Sequence, residues 1–95
     1  MQKNYAKYYD YGKIEKNLVL RHRREGDYLI ISADGRRKSL GRYFVDQKIP
    51  RDEREEAWLL CTDSKVILAV GYRGSEDMRV DEDTTQILEV EFWRN

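Results

Sequence analysis

The chain has 95 residues, of which 40% are hydrophobic and 38% charged, and its 18 basic and 18 acidic residues cancel to a formal net charge of zero. That length supports one modest core rather than two, and the apolar runs exclude a disordered chain. No run approaches transmembrane length and no signal-peptide core follows the N-terminus, and the one cysteine, Cys61, cannot make an internal disulfide, so a reducing cytoplasmic setting is expected.

The elements read in order as follows. Tyr5 to Ile14 is aromatic and strand-prone, and Gly12-Lys13 begins a turn. From Asn17 to Arg23, Leu18, Leu20 and His22 alternate with Val19 and Arg21, as in a half-buried strand. Glu25 to Asp27 breaks it. Tyr28 to Ser32 is a second strand, and Asp34-Gly35 signals a hairpin. Ser39 then caps a short helix whose Leu40, Tyr43 and Phe44 share an apolar face. Lys38 and Arg42, four apart, fall on the same side of that helix start, away from the apolar stripe. Pro50 holds Ile49 extended and opens a second short helix through Glu56.

Strands return at Ala57 to Thr62 and Lys65 to Arg73, around an Asp63-Ser64 turn. An acidic loop, Gly74 to Thr84, leads to a last strand from Thr85 to Trp93. In it Leu88, Val90 and Phe92 alternate with Ile87, Glu89 and Glu91. The pattern is α+β and β-dominated: a small antiparallel, sandwich-like sheet with one or two short helices packed on it.

The zero charge hides an asymmetry. Met1 to Arg54 holds 14 basic against 8 acidic residues, and Glu55 to Asn95 holds 4 against 10. Such a split gives one face to a polyanion and another to solvent or a basic partner, or else two halves that complement each other. Arg36, Arg37, Lys38 and Arg42 gather on a turn and helix start, where RNA backbone is recognised by rigidly held cations and free N–H groups. Arg21 and Arg23, two apart on a strand, widen the patch.

Each residue also has a plainer role. Arg21 pairs with Asp27 or the acidic half, Arg54 pairs near Glu55, and Asp27 after Gly26 is a turn-former. His22 lacks the partner a general base needs. Trp58, Tyr72 and Phe92 read as core aromatics, and the tyrosines at 5, 8, 9 and 11 as packing residues rather than base-stacking ones. Cys61 has no second cysteine to pair with and reads as an inert core thiol. With one histidine and one cysteine, a metal site is not expected.

Taken as an ordered set, these motifs resemble the C-terminal domain family of bacterial tRNA(Ile)-lysidine synthetases. The matching features are Arg21 and Arg23 on a strand, the Gly26-Asp27 break, and Lys38 with Leu40. Ile49-Pro50 with Arg54, and Gly71 with Arg73, complete them. Where the family's helix carries further lysines, this chain has Ser39 and Gly41, and Arg42 restores one charge.

The resemblance implies a single tRNA-binding domain over residues 1–95, similar in fold to a module of phenylalanyl-tRNA synthetase β subunits. It holds tRNA(Ile), towards the acceptor stem, for a ligase that uses ATP and lysine to convert the wobble cytidine to lysidine. That chemistry belongs to an N-terminal ATP-pyrophosphatase domain with a Ser-Gly-Gly-x-Asp-Ser loop, a motif these residues lack. No cofactor is therefore expected here, and the chain alone is not expected to be an enzyme. Lys48, Arg54 and Arg73 join Arg21, Arg23, Arg36, Arg37, Lys38 and Arg42 as expected RNA contacts. The alternative is an assembly module that meets the catalytic domain or a second copy through a sheet edge.

Overall fold

The computed structural model describes residues 3–14 and 17–94. Among the described residues there are eight strands: β1 (Lys3–Asp10), β2 (Val19–Arg21), β3 (Tyr28–Ile30), β4 (Arg37–Ser39), β5 (Leu59–Thr62), β6 (Lys65–Ala69), β7 (Arg73–Gly74) and β8 (Ile87–Arg94). Two helices, α1 (Leu40–Asp46) and α2 (Arg51–Glu56), lie between β4 and β5. The chain falls into two compact units, Met1–Glu15 with Met78–Asn95, and Lys16–Asp77.

In the first unit β1 and β8 form an antiparallel ribbon, in register from Lys3 opposite Arg94 to Asp10 opposite Ile87. The alternation read from the sequence holds. Leu88, Val90 and Phe92 are half-buried while Ile87, Glu89 and Glu91 are exposed. Tyr5 stacks on Phe92 with ring centroids 5.0 Å apart, and Tyr9 is buried, whereas Tyr8 and Tyr11 are half exposed. The Asp10 carboxylate accepts from the Gly12 amide at 2.9 Å and starts the tight turn Tyr11–Lys13.

The second unit carries the larger sheet, ordered β2-β5-β6-β3-β4, with β7 paired to β6. It is mixed: β3 and β6 run parallel, Tyr28 opposite Lys65, and the other pairs are antiparallel. The arrangement follows from connectivity. After the β3–β4 hairpin, α1 and α2 carry the chain across to β5, and the β5–β6 hairpin returns β6 alongside β3. Parallel pairing is short, and Ser75 supplements it. Its hydroxyl donates to the Val66 carbonyl at 2.5 Å and accepts from the Ile30 amide at 3.0 Å.

The core lies under α1. Leu40, Tyr43 and Phe44 pack with Leu29, Leu59, Cys61, Val66 and Ala69, and the Phe44 ring meets Tyr72 edge-on at 5.7 Å. Ser39 caps the helix, accepting from the Arg42 amide at 3.1 Å. The helix ends in a Schellman motif, in which the Ile49 amide donates to the Phe44 carbonyl and Lys48 to Val45, both at 3.0 Å. Lys48 takes the left-handed conformation this requires, φ 58°. Pro50 stands one residue before α2 rather than inside it. The hairpin between β3 and β4 turns at Gly35, φ 91°, a conformation that costs glycine nothing.

Trp58 corrects an expectation. It is 49% exposed because Ala57, Leu59 and Cys61 take the inward positions of the alternating strand and leave Trp58 outward.

Candidate nucleic-acid interface

A cleft of about 640 Å³ opens between the Arg23–Tyr28 segment and the β4–α1 junction. Arg23, Arg24, Tyr28, Arg37 and Glu55 line it, together with residues 25–27 and residues 39–41. The segment from Arg24 to Asp27 is a tight turn, closed by the Asp27 amide donating to the Arg24 carbonyl at 3.3 Å. Gly26 supplies its positive φ of 91°.

Under the cleft lies an ion pair. The Arg21 guanidinium donates to both Asp27 oxygens, at 2.9 and 2.8 Å, and to the His22 and Asp63 carbonyls. Asp27 also accepts from the Arg24 amide at 2.8 Å. The side chains of Arg21 and Asp27 are 10% and 2% exposed, and the hydrogen bond to Asp27 raises the Arg21 pKa further. Arg21 therefore supports the turn from below and cancels the one buried acid of the cleft.

The remaining charges sort by partner. Arg23 pairs at 3.3 Å with Glu55, an exposed contact weak enough for a phosphate to replace. Arg37 lies over the Tyr28 ring, 4.1 Å from its centroid, which fixes the guanidinium without neutralising it. Arg24 is exposed and makes no ion pair among the described residues; Arg36, exposed and likewise without an ion pair among them, lies at the end of the β3–β4 hairpin, outside the cleft's lining. With Asp27 and Glu55 matched, only Glu25 opposes Arg24 and Arg37 inside the cleft. The site is modestly basic.

The other expected contacts lie elsewhere. Lys38 and Arg42 converge on Asp46, at 2.5 and 3.2 Å, and the Lys38 hydrogen bond holds that carboxyl below its ordinary pKa. Arg54 donates to the Ile49 carbonyl at 2.6 Å and ties α2 to the end of α1. Arg73 pairs with Glu76 at 3.2 Å. Lys48 is exposed at the end of α1. Arg24 was missed from the sequence, although the Arg-His-Arg-Arg run ahead of a Gly-Asp turn placed it beside the turn. Among the described residues no group of three or more His, Cys, Asp or Glu side chains is placed to hold a metal ion.

The described strands and two short helices, with a cation-lined cleft in the second unit, define a β-dominated α+β fold. The profile of the TilS substrate C-terminal domain matches residues 18–91, and the chain belongs to that family. The tRNA(Ile)-lysidine synthase of Caldanaerobacter subterraneus subsp. tengcongensis is 36% identical over 88 residues, covering 93% of this chain. That of Parabacteroides distasonis is 41% identical over 85 residues, covering 90%. This chain spans 19% of either relative's length. The crystal structure of a TILS C-terminal domain matches with a TM-score of 0.75 at 22% identity, covering 94% of this chain and 68% of that one. The β-dominated α+β fold is thereby shared.

Proposed function

We propose that this domain holds tRNA(Ile), on its acceptor-stem side, for the conversion of the wobble cytidine to lysidine. The relatives' activity supports the partner, and the cleft supports the means. Duplex RNA presents phosphates and 2′-hydroxyls rather than a readable major groove, so a binding module needs cations fixed at backbone spacing. The observation that carries the reading is the pair Arg24 and Arg37, exposed and without ion pairs, in a cleft whose turn is braced by Arg21 and Asp27. Arg23 joins them when phosphate displaces Glu55.

On this reading ATP and lysine are used by the catalytic part of the polypeptide, and these residues bind and orient RNA only. Among the described residues no helix is long and apolar enough to cross a membrane. Titration of a labelled acceptor-stem hairpin tests the assignment. Arg36→Glu with Arg37→Glu should abolish binding with the fold intact, and Lys65→Glu with Arg79→Glu should leave most of it. Equal affinities of the two double variants would refute it.

A second reading, assembly with the catalytic domain or a second copy, has its own observation. Val19 and Leu20 on the edge strand β2 are 47% and 59% exposed. Self-association insensitive to salt, seen by sedimentation, would favour it.

A further inference from the structure

Trp58 is the largest exposed side chain of the second unit, and its setting is specific. Its indole stacks on the His22 imidazole, with ring centroids 4.0 Å apart and planes 29° from parallel. The His22 ring is itself held, with Nδ1 3.1 Å from the Ala57 carbonyl. A carbonyl only accepts, so Nδ1 carries the proton and donates. One face of the indole is thus covered by a fixed ring, while the side chain remains half exposed.

The stack is close in the chain to two residues that line the cleft, Arg23 and Glu55. His22 immediately precedes Arg23, and Trp58 follows Glu55 by three residues. A rigid aromatic face close to arginines is an arrangement that binds an unpaired nucleobase while its phosphates are neutralised. An apolar protein partner would not require the flanking Arg23 and Arg24, and a duplex interior offers no free base face.

We infer that Trp58, braced by His22, is a stacking platform for one unpaired base flanking the RNA duplex whose backbone lies in the cleft. The inference rests on the RNA-holding function proposed above and adds the kind of RNA end it prefers. Stacking of one base on a tryptophan is sequence-tolerant, so the preference is for an unpaired nucleotide and not for a particular base.

The test compares a blunt RNA hairpin with the same hairpin carrying a single-stranded 3′ extension, using this 95-residue chain. Wild type should bind the extended RNA roughly tenfold more tightly. Trp58→Ala should bring both RNAs to the blunt-end affinity, and Trp58→Phe, which keeps an aromatic face, should retain most of the preference. Arg36→Glu with Arg37→Glu should weaken both RNAs alike. If wild type binds both RNAs equally, or folded Trp58→Ala keeps the preference, the platform is wrong while the cleft stands. If wild type binds neither RNA, the cleft and the platform fall together.

Discussion

Arg21 and Asp27 form a two-point ion pair beneath the turn that presents Arg23 and Arg24, with both oxygens of Asp27 engaged and both side chains almost wholly covered. Such a pair contributes little against an apolar replacement, but removing one member strands the other's charge. Asp27→Ala should therefore cost about 3–5 kcal/mol in urea unfolding, whereas Arg36→Ala at an exposed position should change stability by less than about 0.5 kcal/mol. A loss below about 1 kcal/mol for Asp27→Ala would show that the turn does not depend on the pair. With the expected cost, loss of RNA binding in an Arg21 variant would report the fold rather than a contact.

Phe44 is wholly buried beneath α1, between Tyr43 and the edge of Tyr72. Phe44→Ala removes its contacts and leaves a cavity, with an expected cost of about 3–5 kcal/mol. Chemical denaturation measures it, and a near-neutral result would contradict the packing described.

Lys48 ends α1 in the left-handed conformation, which side-chain-bearing residues adopt at a cost of roughly 1–2 kcal/mol and glycine adopts freely. Lys48→Gly should raise stability by up to about 1 kcal/mol, the greater freedom of glycine in the unfolded chain offsetting part of the relief. Lys48→Val should lower it. A stabilised valine variant would contradict the left-handed cap.

Burial pushes the Cys61 thiol from 9.0 up to about 11, and the nearby Arg21 charge only partly opposes this. The folded chain keeps a proton that the unfolded chain releases, so this contribution is full below pH 9 and is lost as pH rises towards 11. Thiolate is the reactive form, so Cys61 should resist iodoacetamide in the native protein at pH 8 and react once urea unfolds it. Rapid native labelling would contradict the burial.

Local patterns carried much of the fold. The Ser39 cap, the phase of Leu40, Tyr43 and Phe44, the Asp34-Gly35 hairpin and the alternation along β8 are all set by neighbours a few residues apart, which a sequence displays. The parallel pairing of β3 with β6 is not, because it depends on which strand the α1–α2 crossing delivers. The β2 ladder is shorter than its pattern, since the chain leaves the sheet after Arg21 so that Asp27 can meet that guanidinium. Trp58 was misread because hydrophobicity outweighed the one-residue alternation that turns it outward.

The site was legible as a charge cluster but not as a geometry. Composition shows arginines and lysines together. It does not show that Asp46 takes up Lys38 and Arg42 while Tyr28 leaves Arg37 charged. Arg24 belongs to the cleft through the turn closed on Asp27, a contact that only folding makes.

The central claim is that a few fixed cations on this neutral chain hold RNA backbone, and the salt dependence of affinity tests it most directly. If about three or four phosphates are neutralised, raising salt from about 50 to about 200 mM should weaken binding of an acceptor-stem hairpin by roughly one to two orders of magnitude. Replacing Arg37 by Ala should flatten the slope of log affinity against log salt by about one unit. Affinity that does not change with salt, or a slope unaffected by Arg37→Ala, would contradict the account.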